Sequence, residues 1–321
     1  AAQFGLWWIL WAGGFAKQPM LQAYSTISLI GLGLAFIPFV LWYLFQIHRA
    51  GEQEPLRRIR NDIRLSRIAA IVVAMILAPI TASAFTAAKS ALPFAVPFYL
   101  DGPLAGFERA LFGVDPWRIS HALLGWVTPA IDRAYLTWLP VMLVAFNIVL
   151  LSKPSELKTR SLIAYLLMWP AVGTLGSYAF SSAGPIFYNA IFHDGFADLI
   201  PTLQREGATG TLRAYEHLWH AYSGQSVALG GGISAMPSMH IAMAFWLALT
   251  VRAAFPKFQW AGWAYFVLIW VGSVHLGWHY AVDGLAGAIG AAFVWRVAPY
   301  LAFRTSRRAT VKAPAVVEPA R

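Results

Sequence analysis

Two short segments hold most of the side chains in this sequence that can do chemistry. Ser234-Ala-Met-Pro-Ser-Met-His240 ends on an imidazole, and His275-Leu-Gly-Trp-His279-Tyr-Ala-Val-Asp283 carries two imidazoles and a carboxylate. His279 and Asp283 stand four apart, a spacing that puts two side chains on one helical face. The carboxylate can then accept a hydrogen bond from one ring nitrogen and leave the other bare and more basic. Pro237 suits the first turn of a helix, where its missing N–H costs nothing. Ser238 and the backbone N–H groups beside it then face outward from a helix N-terminus, an end that binds anions and phosphate above all. Two histidines and an aspartate around such an end suit phosphoryl transfer. One imidazole attacks phosphorus, the second protonates the leaving oxygen, and the helix N–H groups hold the equatorial oxygens. With no cysteine in the chain, a thiolate nucleophile, a disulfide and a Cys-ligated metal are all ruled out.

Plainer readings compete. A lone histidine near a span end is usually a packing residue, an H-x3-D pair is common by chance, and Pro-Ser before a helix is usually only a cap. The combination on one side of the chain's layout favours a site. His275 lies one helical turn from His279, so a metal cluster is a rival, weakened by the lack of an H-E-x-x-H pattern. Ser238 as nucleophile is weaker still, because two residues from His240 on one helix it points away from it. A transporter with a His and Asp proton relay is a further rival, as is a haem protein with paired histidines, which a Soret band would reveal. Against the transporter, the polar groups gather at one face rather than along a midplane path, and no broken-helix repeat is visible.

The elements that must position these groups are membrane helices. The 321 residues are 59% apolar and 12% charged, with 15 Trp and 26 Gly and a mean hydropathy of +0.58. A soluble domain is nearer a quarter charged, so two soluble domains, a disordered chain, a coiled coil and a disulfide-stapled domain are excluded. Seven apolar stretches approach the ~20 residues a span needs: residues 26–47, 68–88, 134–151, 162–182, 241–255, 260–278 and 284–303. Residues 4–15 carry three Trp and read as an interfacial or re-entrant helix. The chain opens on Ala1 rather than Met, as expected of a processed or trimmed start. Most of the 24 Lys and Arg fall in residues 48–67, 152–161, 252–257 and 296–321. Seven spans put those four segments on one face, which the positive-inside rule makes cytoplasmic. The +10 charge is then a topology signal and a hold on anionic lipid. Nucleic-acid binding is not expected, since no zinc-finger or RNP spacing accompanies the charge. Two long connections, residues 89–133 and 183–239, face the other side. The first contains a helical stretch at 105–112 that lies along the membrane. The second has an amphipathic piece around 212–219 and then Gly230-Gly231-Gly232, read as a flexible joint. The expected organisation is an N-terminal part (1–67), a catalytic membrane domain (68–303) and a basic, disordered tail (304–321).

The two histidine segments resemble those of the PAP2 (type 2 phosphatidic acid phosphatase) superfamily, whose signatures run close to P-S-G-H and then S-R-x5-H-x3-D. Here the first reads Pro237-Ser238-Met239-His240, and the second keeps Leu276-Gly277, His279-Tyr280 and Asp283. Met239 replaces the usual Gly, and Gly272-Ser273 stand where Ser-Arg is usual. The upstream K-x6-R-P place reads Ser181-Ser182-Ala183-Gly184-Pro185-Ile186-Phe187-Tyr188, with no Lys or Arg. This divergent pattern is similar to the inositol-phosphorylceramide-synthase (Aur1-like) branch. The stretch from Asp101 to Pro116, with Glu108 and Leu111-Phe112-Gly113, also resembles one ahead of the core in bacterial relatives. The resemblance covers residues 95–300. It implies an all-α polytopic membrane fold with a six-helix core, in a bacterial inner membrane, with the site on the non-cytoplasmic face. It implies His279 as nucleophile, Asp283 as its orienter, His240 as acid and base, and Ser238 in the phosphate pocket, with no metal or other cofactor. Tyr280, Tyr188 and His275 complete the expected substrate-binding set.

The expected substrate is a phospholipid or lipid phosphate, and the acceptor an alcohol or water. Phosphatases of the superfamily surround a monoester dianion with Lys and Arg, and the matching motifs here lack them. Arg205 and Arg213 in the second outer connection are the substitutes in view. A cation-poor pocket suits a phosphodiester, so headgroup transfer between lipids is expected over dephosphorylation.

Overall fold

The computed structural model describes residues 20–311 apart from residue 63, with side chains described as far as residue 301. The Trp-rich stretch at 4–15 lies outside the described residues. The described chain is helical throughout, with no strand among the described residues.

Five helical stretches are long and apolar enough to cross a membrane: Leu21–Arg49 (α1), Leu65–Ala95, Pro116–Leu151, Glu156–Ala179 and Ala281–Leu301. A short helix, Pro55–Asp62 (α2), precedes Leu65–Ala95 (α3). Asp101–Phe112 (α4) follows it outside the spans. The 116–151 stretch is built of Pro116–Leu124 (α5), Thr128–Leu136 (α6) and Trp138–Leu151 (α7). Glu156–Met168 (α8) continues through a wider π-helical turn, Trp169–Gly176, that begins around Pro170. Proline offers no N–H to the ladder there.

The outer connection then folds into Pro185–Phe192 (α9), Leu199–Arg205 (α10) and Thr209–Ser223 (α11). Met239–Ala254 (α12) and Gln259–His275 (α13) form the remaining two expected spans, and Ala281–Val311 (α14) closes the chain. α12 has 16 residues and α13 has 17, fewer than a lipid-exposed span needs. α12 is not lipid-exposed. It is the central helix, packed against α7, α8, α13 and α14, with Ile241, Met243 and Trp246 fully buried. α14 runs on through residues 304–311, where a disordered tail was expected. The rest of that tail lies outside the described residues.

The basic segments meet at one end of the bundle. Lys158 Nζ donates to the carbonyls of Leu150 (2.6 Å) and Ser152 (2.9 Å). Arg67 donates to the Leu151 carbonyl, and Arg160 Nε donates to that of Trp295 at 2.9 Å. Following each helix from this end leads to the opposite end, where His240 begins α12 and His279 precedes α14. With no native cysteine, single cysteines placed at Arg58 and Ser223 should label from opposite sides of the membrane in intact cells. Labelling of both from one side would overturn the arrangement of spans.

Candidate active site

His240 and His279 come together although their segments lie 39 positions apart in the sequence. Their ring centroids are 5.9 Å apart and the planes tilted by 60°. The Ser238 backbone N–H donates to the Asp283 carbonyl at 3.1 Å, tying the start of α12 to the start of α14. Gly287 makes the approach possible, because a Cβ there would overlap the Ser238 carbonyl. His240 is flanked by Tyr135, stacked at 5.1 Å, and by Trp138 at 4.3 Å. Trp138 Nε1 donates to the His240 carbonyl at 3.0 Å.

His279 lies in the turn before α14, not on the helix itself. Asp283 reaches back from the first turn, and its Oδ2 accepts the Tyr280 backbone N–H at 2.9 Å. This is the reach-back half of a capping box. The same Oδ2 stands 3.5 Å from His279 Nδ1. That is too long for a closed hydrogen bond, and Nδ1 and Asp283 Oδ1 are both buried without a partner. Contacts of this kind commonly tighten only when substrate binds.

Both histidines line a cavity of about 500 Å³ that enters the bundle between α1, α3, α7 and α8. Its lining contains Lys89, near the outer end of α3. Among the described residues Lys89 is the only Lys or Arg of that lining, the lining holds no carboxylate, and nothing pairs with the Lys89 ammonium. Ser234 also lines the cavity, with its Oγ buried and unpartnered. Lys89 and Ser234 are the two groups the motif pattern does not single out. Lys89 stands one residue past the expected end of its span, where a charge reads as a boundary, yet the helix continues to Ala95. Gly232 (φ +90°) packs so tightly on the Lys89–Ser90 backbone that a Cβ would overlap it. The glycine run is thus a packed turn rather than a flexible joint.

The other expected site residues stand elsewhere. Ser238 is buried, and its Oγ accepts the Ile241 N–H at 3.4 Å, so its side chain caps α12. Pro237 stands before that cap, not inside the first turn. Tyr280 is buried and donates from Oη to Asp101 at 3.1 Å. Tyr188 packs on Phe192 and Phe196. Arg205 donates to Thr202, and neither it nor Arg213 lines the cavity. His275 lies against His121, the two rings stacked 4.0 Å apart at 6°. Its nitrogens meet Thr128 (2.8 Å) and Ser120 (3.1 Å), while His121 Nδ1 stands 2.6 Å from Glu206. His121, Glu206 and His275 place their donor atoms within 4.8 Å of one another. A metal on imidazole nitrogen lies along the in-plane lone pair, and two parallel planes share no such point. As arranged, the cluster is a hydrogen-bonded clasp between the two outer connections and the end of α13.

α4 holds the site from behind. Asp101 accepts the Ala183 and Gly184 N–H groups at 2.7 and 2.9 Å. Glu108, two turns on, accepts the Val282 N–H at 3.0 Å, one residue from Asp283. Burial pushes the Glu108 carboxyl up to about 7 in spite of the hydrogen bonds from Val282 and Ala281, and the Asp283 charge adds to the rise. A carboxyl raised in the folded state binds more protons there than when unfolded. Stability therefore falls as pH rises from the ordinary glutamate range through about 7. Glu108→Gln keeps an acceptor and removes the titration. Its melting temperature should exceed that of the native protein at pH 8, by an effect on the order of 1–2 kcal/mol, but not at pH 5. An equal offset at both pH values would contradict this.

A family model described as the PAP2 superfamily matches residues 102–297. The match includes His240, His279, Asp283 and Glu108, and excludes α1, α3 and Lys89. No curated protein matches the chain, and no solved structure does.

Proposed function

The chain belongs to the PAP2 superfamily, which brings phosphatase or phosphotransferase chemistry, and from that premise we propose that it is a membrane lipid phosphotransferase. It moves a phosphate-containing headgroup from a phospholipid to an alcohol through a phosphohistidine. The observation that carries this reading is the cavity itself. His240, His279, one unpaired ammonium and the unpaired Ser234 hydroxyl line it, and the remainder is mostly apolar, with Ser28, Thr81, Thr86, Asn147, Ser177 and His217 among its polar members.

In the reaction, His279 turns Nδ1 to Asp283 and offers Nε2 to phosphorus. The P–N bond forms as the P–O bond to the leaving alcohol breaks, and His240 gives that oxygen its proton. The acceptor hydroxyl then returns a proton to His240 as its oxygen attacks phosphorus and the P–N bond breaks. Lys89 and the Ser234 hydroxyl bind the non-bridging oxygens. The helix start at Met239 adds backbone N–H groups, so the site needs fewer side-chain donors.

A single cavity cation supports a phosphodiester, which carries one negative charge, over a monoester, which carries nearly two at neutral pH. Hydrolysis of a lipid monoester is the second reading, and it differs only in the acceptor. The basic end of the bundle supports a cytoplasmic placement of those loops, with the site on the other face. The test compares purified protein on phosphatidic acid and on a phosphodiester lipid with an added alcohol. The expected result is an acceptor-dependent lipid product. Rapid release of inorganic phosphate from the monoester, with no such product, would make the protein a phosphatase.

A further inference from the structure

Resting on that reading, we propose that one hydrocarbon chain of the lipid substrate lies inside the protein, in the cavity under α1 and α3, and that this cavity sets chain-length preference. On α3 the lining includes Met75, Ala78, Ala82, Phe85 and Lys89, at spacings of three or four that form one continuous helical face, with Thr81 and Thr86 beside them. From Met75 to Lys89 that face is about 21 Å long at 1.5 Å per residue, some two-thirds of the roughly 30 Å hydrocarbon core of a bilayer. Leu139, Leu143 and Phe146 present the facing stripe from α7, and Tyr24, Ile27 and Ser28 close the upper side from α1. Away from the histidine end the lining is mostly apolar, with Ser28, Thr81, Asn147 and Tyr165 as its polar members, and the volume of about 500 Å³ lies within the range of ligand pockets. A cation and two imidazoles at one end, with an apolar channel running inward from them, match a phosphate head joined to a hydrocarbon tail.

The mouth is tied shut around that occupant. Tyr24 Oη meets Thr86 Oγ1 at 2.5 Å and accepts the Gly230 N–H at 3.1 Å, joining α1, α3 and the packed glycine turn. Both α1 and α3 precede the family match, which starts at residue 102. The part of the chain that selects the tail is therefore separate from the part carrying the histidine and aspartate groups. Because lipid tails already surround a substrate in the membrane, the channel gains nothing from removing the tail from water. It acts through fit, and an obstruction inside it must discriminate by length.

The experiment obstructs the channel near its inner end, about 16 Å from Lys89 at 1.5 Å per residue, with Ala78→Trp, and uses Ile76→Trp as control, since Ile76 faces outward and is 54% exposed. Turnover is measured on short- and long-chain versions of the same phosphodiester lipid. Ala78→Trp should lose about tenfold or more in kcat/KM on the long chain and less than about twofold on the short one. Ile76→Trp should match the native protein on both. Phe146→Ala, which lengthens the channel, should shift preference toward longer chains and keeps the test open if Ala78→Trp does not fold. A binding arm uses the His279→Ala protein, which need not turn over. Melting temperature is followed with straight-chain alkyl phosphates of increasing length. Supplied as monomers below their critical micelle concentrations, these probes enter from water and not from the bilayer, so stabilisation should grow with chain length until the channel is full, and Ala78→Trp in that background should cut the growth short. Equal effects of Ala78→Trp on short and long chains, or an unchanged length profile in both channel variants, would overturn the proposal. Length-dependent stabilisation without turnover on any lipid would keep the cavity assignment and sink the phosphotransferase reading instead. Turnover with no length dependence would do the reverse.

Discussion

Replacing His279 with alanine is expected to lower kcat/KM by on the order of ten-thousand-fold or more, because His240, Lys89 and Ser234 serve the leaving and non-bridging oxygens and none of them is paired with a carboxylate that would activate it as a nucleophile. Asp283→Asn should cost on the order of a hundred- to ten-thousand-fold. The amide cannot hold the ring tautomer that bares Nε2, nor stabilise the charge that develops on the imidazole. Since Asp283 also accepts the Tyr280 N–H, circular dichroism and melting must show that the turn survives. His240→Ala should lose turnover on an alkyl phosphodiester far more than on a nitrophenyl ester, whose leaving group needs little protonation. This leaving-group dependence separates a proton donor from a residue that only packs against Trp138 and Tyr135. Near-native activity in His279→Ala would remove the assignment.

Lys89→Met should produce two changes of opposite sign. An ammonium within a membrane span with no counter-charge is costly, so methionine, of similar shape and no charge, should raise the melting temperature. The same substitution should lower kcat/KM on a lipid phosphodiester by roughly a hundredfold or more, the usual scale for removing one preorganised donor from a developing oxyanion. Lys89→Arg should keep the charge and part of the rate. A lysine whose role is structural would lose stability on replacement and leave the rate of the folded fraction unchanged. A fall in melting temperature without loss of specific activity would return the phosphate pocket to other groups.

The gathering of His240, His279 and Asp283 was legible because all three stand in two short segments at one end of their spans, although His279 sits in the turn before α14 and not on the helix that the four-residue spacing implied. The groups set by three-dimensional direction were not legible. Tyr280 adjoins His279 in sequence, but the turn before α14 sends its ring toward Asp101 and away from the cavity. His275 is one turn from His279, yet at the end of α13 it meets His121. Lys89 was hidden by a composition rule that ends a span at the first charge. Hydropathy marked all seven expected spans, and the short fifth is α12, whose burial in protein frees it from spanning length. The roles of Asp101 and Glu108 depend on backbone groups some 80 and 174 positions away, which no local pattern encodes.

Transfer through His279 passes through a phosphoenzyme that can be trapped. Purified protein is mixed with a phosphodiester lipid labelled in its transferred group, with the alcohol acceptor left out, and quenched in alkali, where phosphoramidates of histidine persist. Label is expected on the protein that acid removes, that maps to the peptide containing His279, and that disappears when acceptor is added as labelled lipid product forms. Label should persist in His240→Ala with a good leaving group and be missing from His279→Ala. Acceptor-dependent turnover with no label at any time, or label retained in His279→Ala, would contradict transfer through His279.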